Sequence, residues 1–153
     1  MLPSQRLGDM KLTLPPVGTP VGSYIPATRT GRWVYTSGQV PIRDGKVLYT
    51  GKVPTDVTLQ AAAEAAGIAA VNGLAAIAQL VGGIDYIERI VRVCVYVNSA
   101  PGFTDQPKVA NGASDLLVKV FGDAGRHARS AVGVCELPLN AAVEVEIVAE
   151  VKG

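Results

Sequence analysis

Alternating apolar and polar residues predict several short strands in the first third of the chain. Strand-like segments cover residues 24–28 and 33–40, and a turn at Arg29-Thr30-Gly31-Arg32 joins them. A second turn, Arg43-Asp44-Gly45-Lys46, precedes a short strand at residues 47–49, since glycine tolerates the positive φ that such a turn needs. This region therefore predicts two or three strands.

Two later stretches have helical periodicity. The first runs from about residue 57 to 81, with Asp56 as a plausible N-cap and Gly82-Gly83 as its end. Alanines dominate one face of this helix, so it can lie close to a sheet. The second amphipathic helix is predicted over residues 106–121.

The remaining apolar runs predict the rest of a sheet. Residues 90–97 form a strongly β-branched strand, and residues 127–151 predict a closing hairpin around Leu137-Pro138. The predicted order is ββ(β)αβαββ, an α+β two-layer sandwich with a mostly antiparallel six-stranded sheet and two helices on one face. At 153 residues the chain suits a single domain, with residues 1–23 as an amino-terminal arm.

Alternation within the closing hairpin predicts which residues share a face. Valines and an isoleucine mark one side, and Arg129, Glu144 and Glu146 fall together on the other. A sheet face of this mixed character favours burial against another copy of the chain in a closed cyclic oligomer.

Composition and charge narrow the class of protein. Hydrophobic residues make up 48% and charged residues 18%, which is typical of a globular protein. A net charge of +1, scattered basic residues and 5% aromatics disfavour nucleic acid as a partner. The longest apolar stretch, residues 61–81, contains enough polar residues to disfavour a membrane span. Two distant cysteines and no secretion signal favour the cytoplasm.

Arg129 is the first candidate for chemistry, because a guanidinium matches the two oxygens of a carboxylate. If the predicted turn centres on Pro138-Leu139, Gly133 lies opposite Glu144, which puts Arg129 about 13 Å from Glu144 along the strand at about 3.3 Å per residue. Ala131 and Gly133 leave an opening between them for a small anionic molecule. The alternative is an arginine at the surface or an interface, paired with Glu144 or Glu146.

Two other features allow two interpretations each. His127, beside Arg129, is either a general acid or base or a bystander. The small-residue run at residues 35–41 indicates either close approach of a ligand or a bulge before Pro41. Cys94 and Cys135 are expected to serve packing. No metal, dinucleotide or phosphate-loop motif is present, so we expect no metal and no cofactor.

In combination these segments resemble the RidA/YjgF/L-PSP family of reactive-intermediate deaminases, once described as endoribonucleases. The resemblance covers most of the chain from Gly22 onward. Its pieces are Gly22-Ser23-Tyr24, Thr36-Ser37-Gly38-Gln39-Val40-Pro41, the long helix ending in Gly-Gly, the valine strand, Asn111, Ala128-Arg129-Ser130, Leu137-Pro138 and Val143-Glu144-Val145-Glu146.

The resemblance implies a chorismate-mutase-like fold and a homotrimer, with sheets around a central barrel and ligand sites between subunits. It implies hydrolysis of enamine or imine intermediates, such as 2-aminoacrylate, to 2-keto acids and ammonia. Arg129 would hold the substrate carboxylate and Glu144 would orient the attacking water. Tyr24, Ser37, Gly38 and Asn111 would line the cleft, with His127 beside them.

This chain departs from the family pattern at Ser23, Ser114, His127 and Ala131. These positions put the identity of the substrate in question but keep the arginine and the glutamate. The first hypothesis is therefore a trimeric deaminase acting on a small 2-imino acid. The second is a non-catalytic protein that binds a 2-keto acid, and the weakest is an endoribonuclease.

Overall fold

The computed structural model describes all 153 residues. Three α-helices are α1 (Pro3–Asp9), α2 (Leu59–Val81) and α3 (Gln106–Phe121). Seven strands are β1 (Ala27–Thr30), β2 (Trp33–Thr36), β3 (Ile42–Arg43), β4 (Lys46–Val47), β5 (Ile87–Asn98), β6 (Ala128–Val134) and β7 (Val143–Val151). The α+β class and the bounds of the second predicted helix are confirmed.

The main sheet has five strands rather than the predicted six, in the order β1–β2–β7–β5–β6. Strands β3 and β4 form a separate two-stranded ribbon, so the third predicted strand does not join the sheet. The sheet is mixed, because β6 lies parallel to β5 while the other pairs are antiparallel. Helix α3 connects β5 to β6, and a helical crossover is the usual way to place two strands parallel.

The predicted closing hairpin is also wrong, because β6 pairs with β5 and not with β7. After β6 the chain crosses to the far side of β5, where β7 pairs with β5 and β2. Strands β6 and β7 are therefore separated by β5 and share no hydrogen bonds. The predicted pairing of Gly133 with Glu144, and the 13 Å spacing derived from it, do not apply.

The new pairing also changes which residues share a face, since paired residues project to the same side of a sheet. Arg129 pairs with Val93, which pairs with Ile147, and both of these are buried beneath the helices. Glu144 pairs with Tyr96, whose side chain lies on the other face. The prediction that Arg129, Glu144 and Glu146 share one face is wrong: Arg129 lies on the helix-covered face and both glutamates on the opposite one.

Helices α2 and α3 cover one face and enclose a core cluster of 31 residues. The small face of α2 is confirmed, and it lets the helices approach closely: a Cβ on Gly112 would collide with the backbone of Ala63. Helix α2 is long and apolar enough to cross a membrane by composition, but 61% of its apolar window is buried inside the protein. It is therefore the core helix of this fold.

The ends of α2 differ partly from expectation. Its N-cap is Thr58, whose hydroxyl accepts a hydrogen bond from the Ala61 amide at 3.1 Å. Asp56 instead accepts from the Lys52 amide at 2.9 Å, and so closes the preceding turn. Gly82 ends the helix as predicted, with a φ of 100° that favours glycine.

The amino-terminal arm contains the short helix α1, which the sequence pattern did not predict. Leu7 of α1 enters the main core. The Ser4 amide and hydroxyl donate to the Asp85 carboxylate at 2.8 and 2.6 Å. The arm is therefore attached to the body of the fold.

No helix covers the second face of the sheet, which we call the open face. It carries glutamates and aromatic residues together with Val132, and Trp33, Tyr35 and Val132 are more than two-fifths exposed. Exposed large apolar groups across one sheet face are typical of a surface that another protein covers. The expectation of a mixed face is thus confirmed for Glu144 and Glu146, whereas Arg129 lies on the opposite side.

Candidate functional site

The residues that the sequence singled out fall into two groups on opposite faces of the sheet. The first, which we call the arginine half-site, consists of Asn111, Ser114, His127 and Arg129. The second, the glutamate half-site, consists of Tyr24, Ser37, Gly38 and Glu144. Within one chain the two groups do not form a single cavity.

Hydrogen bonds to α3 fix the guanidinium of Arg129. Its Nη1 donates to Asn111 Oδ1 at 2.8 Å and to Ser114 Oγ at 3.2 Å. Asn111 and Ser114 are three residues apart, so they lie on the same face of the helix. The Nε–H and Nη2–H groups of Arg129 make no hydrogen bond within the chain, and they form the edge that binds a carboxylate through two parallel bonds.

His127 extends this network. Its Nδ1 lies 2.6 Å from the Gly125 carbonyl, and its Nε2 lies 2.9 Å from Ser114 Oγ. A carbonyl oxygen only accepts, so Nδ1 carries a proton. Burial lowers the pKa of His127, and the positive charge of Arg129 lowers it further, against the opposing effect of the Gly125 hydrogen bond. At neutral pH the imidazole is uncharged, and Nε2 accepts the Ser114 hydroxyl proton.

Ser114 is the site residue that sequence reasoning missed as a functional group. The sequence marked it only as a departure from the family pattern. Its spacing from Asn111 was the available signal, because a polar residue one helical turn away faces the same side. Its contact with His127 depends on how the chain turns after α3, which periodicity does not reveal.

A surface pocket of about 280 Å³ opens beside this network. Its lining residues are Ser114, Asp115, Val118, Arg126, His127 and Arg129. Arg126 pairs with Asp123 at 3.6 Å, so Arg129 is the lining cation with a free edge for an anion. The pocket does not extend over Gly133, where a Cβ would meet Gln106 and Ser99, so the opening predicted there is filled.

The glutamate half-site is assembled mainly by the backbone. The Ser37 hydroxyl donates to the Ile25 carbonyl at 2.6 Å, and the Ser37 amide donates to the Pro26 carbonyl at 2.8 Å. These bonds hold the segment that follows Tyr24 beside the end of β2. Tyr24 itself is about half exposed, so its ring is available to a ligand or a partner.

Gly38 lies directly against Glu144. A Cβ at position 38 would collide with the Glu144 carboxylate, so the glycine gives that carboxylate its room. Reciprocal backbone bonds of 2.8 Å between Gln39 and Val145 hold the two segments together. The small-residue run at residues 35–41 therefore permits a close approach, here of a side chain from β7.

The carboxylate of Glu144 is electrostatically unusual. Burial raises its pKa, and the negative charge of Glu146 raises it further. Glu146 in turn accepts a hydrogen bond from the Tyr96 hydroxyl at 2.8 Å. A half-buried carboxylate with a raised pKa is a better proton acceptor than an ordinary glutamate, which suits it to take a proton from a water.

The chain matches one family model across nearly its whole length. The model is described as "YjgF/chorismate mutase-like, putative endoribonuclease", and it covers residues 4–151. The chain belongs to this family, which the resemblance above named RidA/YjgF/L-PSP. The protein is thus an α+β protein of the YjgF type.

Individual relatives agree with this assignment. Protein TCP17 of Trypanosoma cruzi is 43% identical over 150 residues, which span 95% of this chain and 90% of the relative. A 2-iminobutanoate/2-iminopropanoate deaminase of Dermatophagoides farinae is 29% identical over 135 residues, or 88% and 91% of the two chains. The crystal structure of a "putative endoribonuclease" from Shewanella oneidensis superimposes with a TM-score of 0.95 at 36% identity, covering 99% of this chain and all of that one.

Proposed function

We propose that this chain hydrolyses small 2-imino acids, or the enamines from which they form, to 2-keto acids and ammonia in the cytoplasm. The observation that carries the proposal is the free edge of Arg129. Its guanidinium is fixed through Nη1 alone, and two parallel donors remain beside a pocket. Such an arrangement matches a carboxylate in charge, geometry and size.

Besides the carboxylate anchor, the reaction requires only a positioned water and a group that accepts its proton. An imine carbon is already electrophilic, so an enzyme gains rate mainly by fixing the acid group and placing a water. Glu144, with its raised pKa, is the group that accepts the proton of that water. The reaction needs no cofactor and no metal ion. The deaminase name of the relative from Dermatophagoides farinae supports the same reaction class.

Arg129 and Glu144 can serve one substrate only if they come from two chains. They lie on opposite faces of the sheet, with β5 between their strands. The open face, with its exposed Trp33, Tyr35 and Val132, supports its burial against another copy. We therefore propose a homotrimer in which the arginine half-site of one subunit faces the glutamate half-site of the next.

The proposal is tested by generating 2-iminobutanoate with an amino-acid oxidase and following its conversion to the keto acid. Arg129→Ala removes the carboxylate anchor, and we expect kcat/KM to fall about 10²–10³-fold. The matched control is Arg126→Ala. Arg126 lines the same pocket but is exposed and paired with Asp123 at 3.6 Å, so its loss is expected to cost less than about threefold.

Two other results would redirect the proposal. Wild-type protein that binds 2-oxobutanoate in calorimetry without accelerating imine hydrolysis would favour a binding protein. Equal activity in wild type and Arg129→Ala would show that Arg129 does not anchor the substrate carboxylate. Ribonuclease activity has less support, because the net charge of +1 provides few contacts for phosphates.

A further inference from the structure

The hydrogen-bonding capacity of Ser114 is almost fully used. A hydroxyl has one proton to donate and two lone pairs to accept. Its proton goes to His127 Nε2 at 2.9 Å, and one lone pair receives Arg129 Nη1 at 3.2 Å. One lone pair remains, on a residue that lines the pocket next to Arg129.

His127 sets the direction of this hydroxyl. Because the Gly125 carbonyl holds a proton on Nδ1, the neutral ring presents only a lone pair at Nε2. The Ser114 proton must then point toward the histidine. Ser114 accordingly offers an acceptor, and no donor, to a molecule in the pocket.

We propose that Ser114 and His127 form a polarity filter that selects a ligand with an N–H group beside its carboxylate over the matching keto acid. This inference rests on the proposed function and names the group that the site recognises. A 2-imino acid carries an N–H on the carbon next to its carboxylate, and that N–H can donate to the free lone pair of Ser114. A keto oxygen has no proton and meets only another acceptor, so the product is released.

Protonation of His127 would reverse the filter. Nε2–H would then donate to Ser114, whose hydroxyl would be free to turn its proton toward the ligand. The charged groups around His127 are Asp115 on α3, Asp123 in the preceding turn, and Arg126 and Arg129 on its own segment. Arg89 of β5 reaches the Arg126 carbonyl from the other side.

The test measures affinities for two stable probes with the same carbon skeleton, 2-aminobutanoate and 2-oxobutanoate, by calorimetry at about pH 8. The ratio of the two affinities is the readout, because it cancels general changes in the site. We expect Ser114→Ala to reduce the preference for the amino probe about tenfold, by removing an acceptor for a charged donor. Ser114→Thr keeps the hydroxyl and is expected to retain the wild-type ratio to within about twofold.

His127→Ala provides an independent variant. Without the imidazole the hydroxyl proton is free to rotate, so the ratio is expected to shift toward the keto probe. The same shift is expected in wild type when the pH is lowered below the ordinary histidine range until His127 is protonated. Unchanged ratios in both Ser114→Ala and His127→Ala would overturn the filter and leave the carboxylate site intact. If neither probe binds wild type, or if Arg129→Ala binds both as tightly, the proposed site itself fails.

Discussion

The two half-sites are built on different physical principles. In the arginine half-site, side chains from α3 and β6 bond to one another, so the guanidinium is fixed before any ligand arrives. In the glutamate half-site, backbone bonds fix the main chain, and the carboxylate occupies space left by Gly38. The group that would bind substrate is thus held by two side-chain hydrogen bonds, whereas the group that would move protons is placed mainly by its backbone.

The difference fits the two tasks. A binding group gains affinity when its geometry is preorganised, because little freedom is lost on association. A proton acceptor depends more on a suitable pKa, which burial and Glu146 supply for Glu144. Placing the two tasks on opposite faces allows each to be tuned separately. Under the proposed function, each subunit is then chemically incomplete by itself.

The sharpest way to test this division is to mix two inactive variants. Arg129→Ala and Glu144→Ala are each expected to lose at least about 100-fold in activity. When they are mixed in equal amounts and subunits exchange, a site between two chains regains both residues with a chance of about one quarter. The expected recovery is therefore about a quarter of the wild-type rate, measured after partial unfolding and reassembly.

A double variant, Arg129→Ala with Glu144→Ala, serves as the control for this mixing. Combined with either single variant, it can form no intact site and should restore nothing. Absence of recovery with the two single variants, in mixed oligomers shown by mass spectrometry, would mean that the two residues do not serve a shared site.

A second prediction concerns the glutamate half-site alone. Glu144→Gln keeps the shape but removes the proton acceptor, so kcat should fall about 10²–10³-fold with a smaller change in KM. Since Glu144 must be ionised to accept a proton, the wild-type rate should rise with pH as this group deprotonates.

Glu146→Gln refines that pH profile. It removes the negative charge that helps to raise the pKa of Glu144, while its amide oxygen can still accept from Tyr96. The rising limb of the rate is expected to move to lower pH. A shift in the opposite direction, or none, would indicate that another group controls the profile.

The smallest effects come from two glycines and concern stability. Gly112→Ala forces a Cβ into the backbone of Ala63, which cannot move independently, and should destabilise the fold by about 2 kcal/mol in denaturant titration. Gly38→Ala pushes against a side-chain carboxylate that can rotate away. It should therefore destabilise the fold less than Gly112→Ala does, while its activity falls because Glu144 is displaced. Gly8→Ala, which meets no neighbour, is the control. If Gly38→Ala destabilised the fold more than Gly112→Ala, the Glu144 carboxylate would be held more rigidly than its contacts imply.

Much of the architecture could be predicted from local pattern. The bounds of α3, the small face of α2 and its glycine end follow from periodicity and capping chemistry. The valine strand became β5, with three more residues at its start and one at its end. These features depend on residues near one another in the sequence, where side-chain type determines backbone preference.

The arrangement of the last two strands could not be predicted in the same way. Alternation fixes which residues share a face within a strand, but it does not state which face is covered. In β6 the residues toward the helices are Arg129, Ala131 and Gly133, while Val132 points to the open face. Because α3 supplies polar partners for Arg129 on the inner side, the valines of this strand are the outward residues. Alternation alone favours a hairpin here, because it contains no sign of that helix partner.

Strand β6 lies at the edge of the sheet, and its outer backbone groups have no partner strand. Such an edge, next to the exposed Val132, can pair with any extended chain that it meets. A variant that weakens assembly should therefore be recovered as insoluble material more readily than as a stable monomer. Solubility on expression would thus be an early indicator of the proposed assembly.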